Sequence, residues 1–177
     1  MSFETDVGKA AEAFEFAFDR VQAEYGELSD NWKQLDSKAQ ATATIAGIFM
    51  AASFAFIRNS ALQLTGLERV LLLFVLASLI VSILLAVAAM FVRTVPVPPT
   101  PENIAEMVSD LLETAPKEHE ERLGGLIADT INAWLPINRE LRKELLVKAS
   151  KLENSQWALV VAADLMAALT VTTVLTH

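Results

Sequence analysis

Asp164 has the sharpest chemical meaning of any residue in this chain. It is the one ionisable side chain between Trp157 and His177, in a stretch of alanine, leucine, valine and threonine. A carboxylate at the centre of a membrane span costs about 2.5–3.5 kcal/mol on insertion scales. Such a group is expected to face a partner helix or a path of water. Two readings follow if this stretch inserts stably; a third is that it does not. Asp164 is a pore-lining or gating carboxylate, or it is a hydrogen-bonded carboxyl held between helices near Thr42, Thr44 or Ser82. Thr170, Thr172, Thr173 and Thr176 make the last turns of the same stretch semi-polar. That suits a channel wall, and it equally suits tight helix packing. Asp164, Thr170 and Thr173 are therefore the candidate pore or gating residues.

A second group is basic. Arg139, Arg142, Lys143, Lys148 and Lys151 lie just before this apolar stretch, and Lys38 and Arg93 stand beside the two earlier ones. Lysines and arginines there anchor a protein to anionic lipid. The same residues, Lys38, Arg93, Arg139, Arg142, Lys143 and Lys148, could instead hold an anionic ligand such as a nucleotide phosphate between subunits.

Turnover chemistry finds no support. His119 sits among glutamates and suits a solvated face. Gly124-Gly125 is too little for a phosphate loop, and neither HExxH nor a nucleophile elbow is present. The chain has no cysteine, which excludes disulfides, thiolate metal sites and a cysteine nucleophile. No catalytic residue, metal or cofactor is expected. A net charge of −8 argues against nucleic acid as a partner.

The elements that must position Asp164 follow from where the apolar residues fall. They make up 53% of 177 residues, and they cluster. No charge stands between Lys38 and Arg58, none between Arg69 and Arg93, and Asp164 alone interrupts the third stretch. About twenty helical residues cross a hydrocarbon core of about 30 Å. The expected fold is an all-α membrane protein. It comprises an antiparallel two-helix transmembrane hairpin, a third transmembrane helix, a long N-terminal amphipathic heptad helix and a cytoplasmic helical segment. The corresponding regions are 1–38, 39–92, 93–154 and 155–177.

Residues 4–37 contain no proline, and their apolar positions step 4-3-4-3: Val7, Ala11, Phe14, Phe18, Val21, Tyr25, Leu28, Trp32, Leu35. That is a heptad seam, which could pair within the chain or between chains. Its polar face is acidic, unlike that of a membrane-surface helix. The charged, amphipathic start does not have the form of a secretory signal, and span one is expected to direct insertion. The seam runs on into span one through Ala39, Thr42, Ala46 and Phe49. Span one also carries Ala39, Ala43, Gly47, Ala51 and Ala55, a small-residue stripe of the kind that lets helices approach closely in lipid. Gly26 weakens the helix by about 1 kcal/mol, and Ser29 or Asp30 could cap a fresh start there.

After Arg93 comes Val95-Pro96-Val97-Pro98-Pro99-Thr100-Pro101, a stiff spacer. A short amphipathic helix is expected over 101–114. Another should open at Pro116. Pro136 marks a further boundary, with a long final helix from about 137 to about 175. Basic residues near the span ends set orientation. Lys33, Lys38, Arg93, Arg139, Arg142, Lys143, Lys148 and Lys151 outnumber Arg58 and Arg69, placing the N-terminus and 93–154 in the cytoplasm.

The approach to span one reads Leu35-Asp36-Ser37-Lys38-Ala39, ahead of a small-residue span with Gly47. This resembles the Asp-x-Lys-Ala approach of the Pycsar transmembrane effectors and the related SLATT domains of bacterial defence operons. The helix around Arg142–Lys151 looks like the lysine-bearing helix of that group. The N-terminal helix is longer than the family pattern, and no residue matches a cyclic-nucleotide contact. The resemblance implies an antiphage effector in the bacterial inner membrane that a cyclic nucleotide triggers to oligomerise and breach the bilayer. By this likeness Asp36 and Lys38 would sit at the cytoplasmic mouth of span one. Membrane lipid and a homo-oligomeric partner are implied with it. Two other functions fit the same residues: a scaffold that recruits a partner through its N-terminal helix, and a small oligomeric ion channel.

Overall fold

The structure is a computed structural model that describes residues 3–60, 64–91, 109 and 119–176. Three helices account for nearly all of them: α1 (Phe3–Ser60), α2 (Gly66–Met90) and α3 (His119–Thr176). No strand occurs among the described residues. All three helices are long and apolar enough to cross a membrane. The expected all-α class with three spanning helices is thus met.

The helix limits differ from expectation in two places. Helix α1 does not restart at Ser29 or Asp30; it runs unbroken past Gly26. Pro136 does not separate two helices; it lies inside α3, which already begins at His119. Proline removes one backbone donor and crowds the carbonyl four residues earlier. Here that carbonyl belongs to Asn132, and both residues are exposed, so water can take the freed acceptor. The helix then continues because the flanking Trp134, Ile137 and Leu141 are buried. The spacer 95–101, the short helix expected over 101–114 and Arg93 fall outside the described residues.

The chain forms two compact units, Met1–Asn31 with Arg93–Glu144, and Trp32–Val92 with Leu145–His177. In the first, α1 meets α3 through aromatic edges. Phe18 and Tyr25 stand nearly perpendicular to Trp134, with ring centroids 6.2 and 5.4 Å away. The Asn138 amide donates to the Val21 carbonyl at 3.0 Å, and Arg142 pairs with Glu24. Around Phe18, Val21 and Tyr25 the heptad seam is therefore occupied by the chain's own third helix.

In the second unit the three helices form a bundle. Helices α1 and α2 are antiparallel: Ala39 packs with Ala89, and further along Ala46 packs with Val75 and Leu79. Helix α3 runs parallel to α1, with Leu152 at the level of Ala39 and Ala162 at that of Ala46. The polarity is inside-out. Ser53, Ser82 and Ser155 are buried, while Leu73, Phe74, Leu84, Val160 and Val171 are exposed. An apolar exterior around an interior of small apolar side chains and three buried serines suits lipid as the surrounding solvent.

A capping box starts α2. The Thr65 side chain accepts from the Glu68 backbone N–H, and the Glu68 carboxylate accepts from the Thr65 N–H at 2.7 Å. This satisfies donors that the first turn of a helix leaves open.

Candidate functional site

Besides Glu68, which is buried in the capping box of α2, two places in the second unit hold charge where apolar surroundings make charge expensive. The first is Lys148 on α3. Its side chain is only 2% exposed, and its ammonium lies 2.7 Å from the Asp36 carboxylate of α1. The same ammonium stands 4.0 Å above the ring of Trp32. The contact is electrostatic, since the ammonium makes no hydrogen bond of ordinary geometry among the described residues. Asp36 is 34% exposed; it reaches the outside while Lys148 does not. A buried ammonium without a counter-charge is strongly unfavourable. The carboxylate and the aromatic face together make its position tolerable.

Helix geometry explains how these three meet. Trp32 and Asp36 are one turn apart on α1 and therefore neighbours on one face. Trp32 is a seam position and half-buried. The seam brings α3 alongside, and Lys148 falls in register. The next turn repeats the arrangement with small groups: Ala39 is fully buried against Ala89 and Leu152, and Thr42 is buried with its hydroxyl donating to the Lys38 carbonyl at 2.9 Å.

The rest of the basic group does not gather. Arg142 is engaged by Glu24, and Lys143 lies 3.5 Å from Glu140 on its own helix. Lys151 reaches the Ala88 carbonyl at 3.5 Å. Lys38 and Arg139 are exposed. Lys148 therefore belongs to the interior, away from any exposed basic surface, because Asp36 and Trp32 hold it there.

The second place is Asp164. It is exposed on α3 and makes no hydrogen bond or ion pair among the described residues. Thr42 and Ser82 are buried in the bundle, on the other side of the helix wall. A carboxyl tied to either of them is therefore not what the fold builds. By helical rise Asp164 lies about 14 Å beyond Ser155 and about 16 Å short of Leu175. Those two distances bracket the middle of a core of about 30 Å.

Thr170 and Thr173 do not share its face. At 100° per residue Thr173 is diametrically opposite Asp164, and Thr170 is about 120° away. Their hydroxyls donate to the Met166 and Leu169 carbonyls of α3 itself, each at 2.9 Å. The neighbours on the Asp164 face are Val161, Ala167, Ala168 and Val171, all exposed.

No protein-family model, curated protein or solved structure matches this chain. The site rests on its own geometry.

The small-residue stripe of α1 winds around the helix. A spacing of four residues advances 400°, so the stripe drifts about 40° at each step. Ala39 is buried and Ala43 half-buried, while Gly47, Ala51 and Ala55 are exposed. A Cβ built at Gly47 would meet nothing within 4 Å. These outward residues stand near the level of Asp164, since Ala46 packs with Ala162 and the Ser53 hydroxyl lies 3.8 Å from the Met166 sulfur.

Sequence reasoning missed two features. The Thr65-x-x-Glu68 pattern ahead of an apolar run was a legible helix start. The pairing of Asp36 with Lys148 had no local signal, because it joins residues remote in the chain.

Proposed function

We propose that this protein is a membrane-embedded effector that assembles from several copies and permeabilises the bilayer when triggered. The observation that carries this reading is Asp164: an exposed carboxylate near the middle of the third span, with no partner among the described residues. A single copy in lipid would hold that charge against hydrocarbon, at a cost of about 2.5–3.5 kcal/mol. Several copies around a rotation axis would turn the same face toward one another. The carboxylates would then meet water rather than lipid. The outward Gly47 and Ala51 leave room for a neighbouring helix to approach closely at that level.

The trigger in this reading is a nucleotide second messenger, and the setting is antiphage defence at the bacterial inner membrane. The N-terminus and residues 93–154 would face the cytoplasm. The resemblance of Asp36-Ser37-Lys38-Ala39 to the Pycsar effectors supports this part. The Asp36–Lys148 pair would lie at the cytoplasmic mouth, where a signal must act. Lipid and further copies of the chain are the expected partners, and no catalytic step is involved.

The test is dye and ion release from liposomes containing the purified protein, with a panel of cyclic mono- and dinucleotides. Release with one nucleotide, lost on Asp164→Asn, is the expected result. Release without any ligand would make the protein an ordinary channel. Sealed liposomes throughout would overturn the pore and leave the partner-recruiting scaffold.

A further inference from the structure

We infer that the water path conducts cations and rejects anions, with Asp164 as the selecting residue; this rests on the pore proposed above. The charge inventory carries the argument. From Ala39 to Ile57 on α1 there is no ionisable side chain, nor from Val70 to Phe91, and α3 has only Asp164 between Ser155 and Thr176. Whichever of these segments lines the path, the only fixed side-chain charge available at mid-depth is negative.

The surroundings of that charge sharpen the inference. Asp164 is flanked on its face by exposed Val161, Ala167, Ala168 and Val171. None of these offers a donor or a positive charge, and no hydrogen bond or ion pair among the described residues engages the carboxylate. Charge repeated around an axis in a low-dielectric wall acts strongly on a passing ion. Rings of acidic side chains select cations in this way. The flanking valines and alanines would form an apolar collar, which gates by losing its water. The ligand of the site is thus a hydrated cation, held by carboxylates from several copies.

The absence of cysteine permits a clean test. Ala168 lies one turn from Asp164 on the same face and Val161 one turn before it, so each is its neighbour. Single variants Ala168→Cys and Val161→Cys are made in the full-length protein in liposomes. Each is treated with a cationic trimethylammonium and an anionic sulfonate methanethiosulfonate, with and without the cyclic-nucleotide panel. Rates are divided by those for a free thiol.

The expected result is a cation-over-anion preference of about tenfold or more at either position, lost when Asp164→Asn is added. Modification by both reagents at equal normalised rates would overturn the selectivity and leave the pore standing. An anionic preference would do the same. Cysteines at both positions that stay unmodified under every condition would overturn the pore itself, and the selectivity with it. Should one variant fail to insert, the other carries the test.

Discussion

Lys148 of α3 and Asp36 of α1 form an ion pair at 2.7 Å in which the lysine is buried and the aspartate reaches the surface. The asymmetry matters. Removing the carboxylate strands a buried ammonium, while removing both charges strands nothing. Loss of one partner of a buried pair costs about 3–5 kcal/mol, and the partial exposure of Asp36 reduces this to about 1–3 kcal/mol. Asp36→Asn should therefore lower the melting temperature in detergent, and Asp36→Asn with Lys148→Met should recover most of the loss. A double variant no more stable than the single one would show that the pair does not hold the helices.

Trp134 presents a contrasting case. Its indole N–H is buried and has no acceptor among the described residues, while its ring packs edgewise against Phe18 and Tyr25. Leaving a buried donor unpaired costs about 1–3 kcal/mol. Trp134→Phe removes the donor and keeps an aromatic ring, so its effect on stability should be small. Trp134→Ala opens a cavity and should cost about 3–5 kcal/mol. Thermal unfolding of the two variants side by side decides the point; equal losses would show that the ring contacts contribute nothing.

Ser82 and Ser155 bind each other's backbone. The Ser82 hydroxyl donates to the Ser155 carbonyl at 2.9 Å, and the Ser155 hydroxyl donates to the Ser82 carbonyl at 2.7 Å. Their oxygens lie 3.3 Å apart. The paired variant Ser82→Cys with Ser155→Cys should form a disulfide on mild oxidation of the membranes. Protection of both thiols from a maleimide added after denaturation, reversed by a reductant, reports it. Thiols that stay fully reactive would show a different register between α2 and α3.

Pro136 lies inside α3 and is exposed. A proline in a helix interior costs about 3 kcal/mol relative to alanine. Pro136→Ala restores the donor to the Asn132 carbonyl and should raise the melting temperature. A fall would mean that the proline is required for the path of α3 past α1.

Much of the fold was legible in the sequence because it follows from local repetition. Uncharged runs long enough to cross a bilayer mark the spans, and the 4-3 spacing marks the side of α1 that packs. Phe18, Val21, Tyr25, Leu28, Trp32, Leu35, Ala39, Thr42, Ala46 and Phe49 are all buried or half-buried. A mean spacing of 3.5 residues nearly matches the 3.6 of a helical turn, so such positions stay on one side for many turns. The every-fourth stripe from Ala39 to Ala55 does not stay on one side, and simple arithmetic on its period foretells the drift.

Tertiary structure decided the rest, and the reason is distance along the chain. Which helix fills the seam depends on contacts such as Val21 with Asn138, and periodicity carries no address for a partner. Lys148 looks like any other lysine of a basic run until α1 brings Asp36 and Trp32 against it. Asp164 is marked as unusual by its apolar surroundings, because the cost of burying a charge depends only on the medium. Whether it turns inward to Ser82 or outward from the bundle depends on which face of α3 the other two helices cover. They cover Leu152, Ser155, Ala162 and Leu169, and that leaves the carboxylate outside.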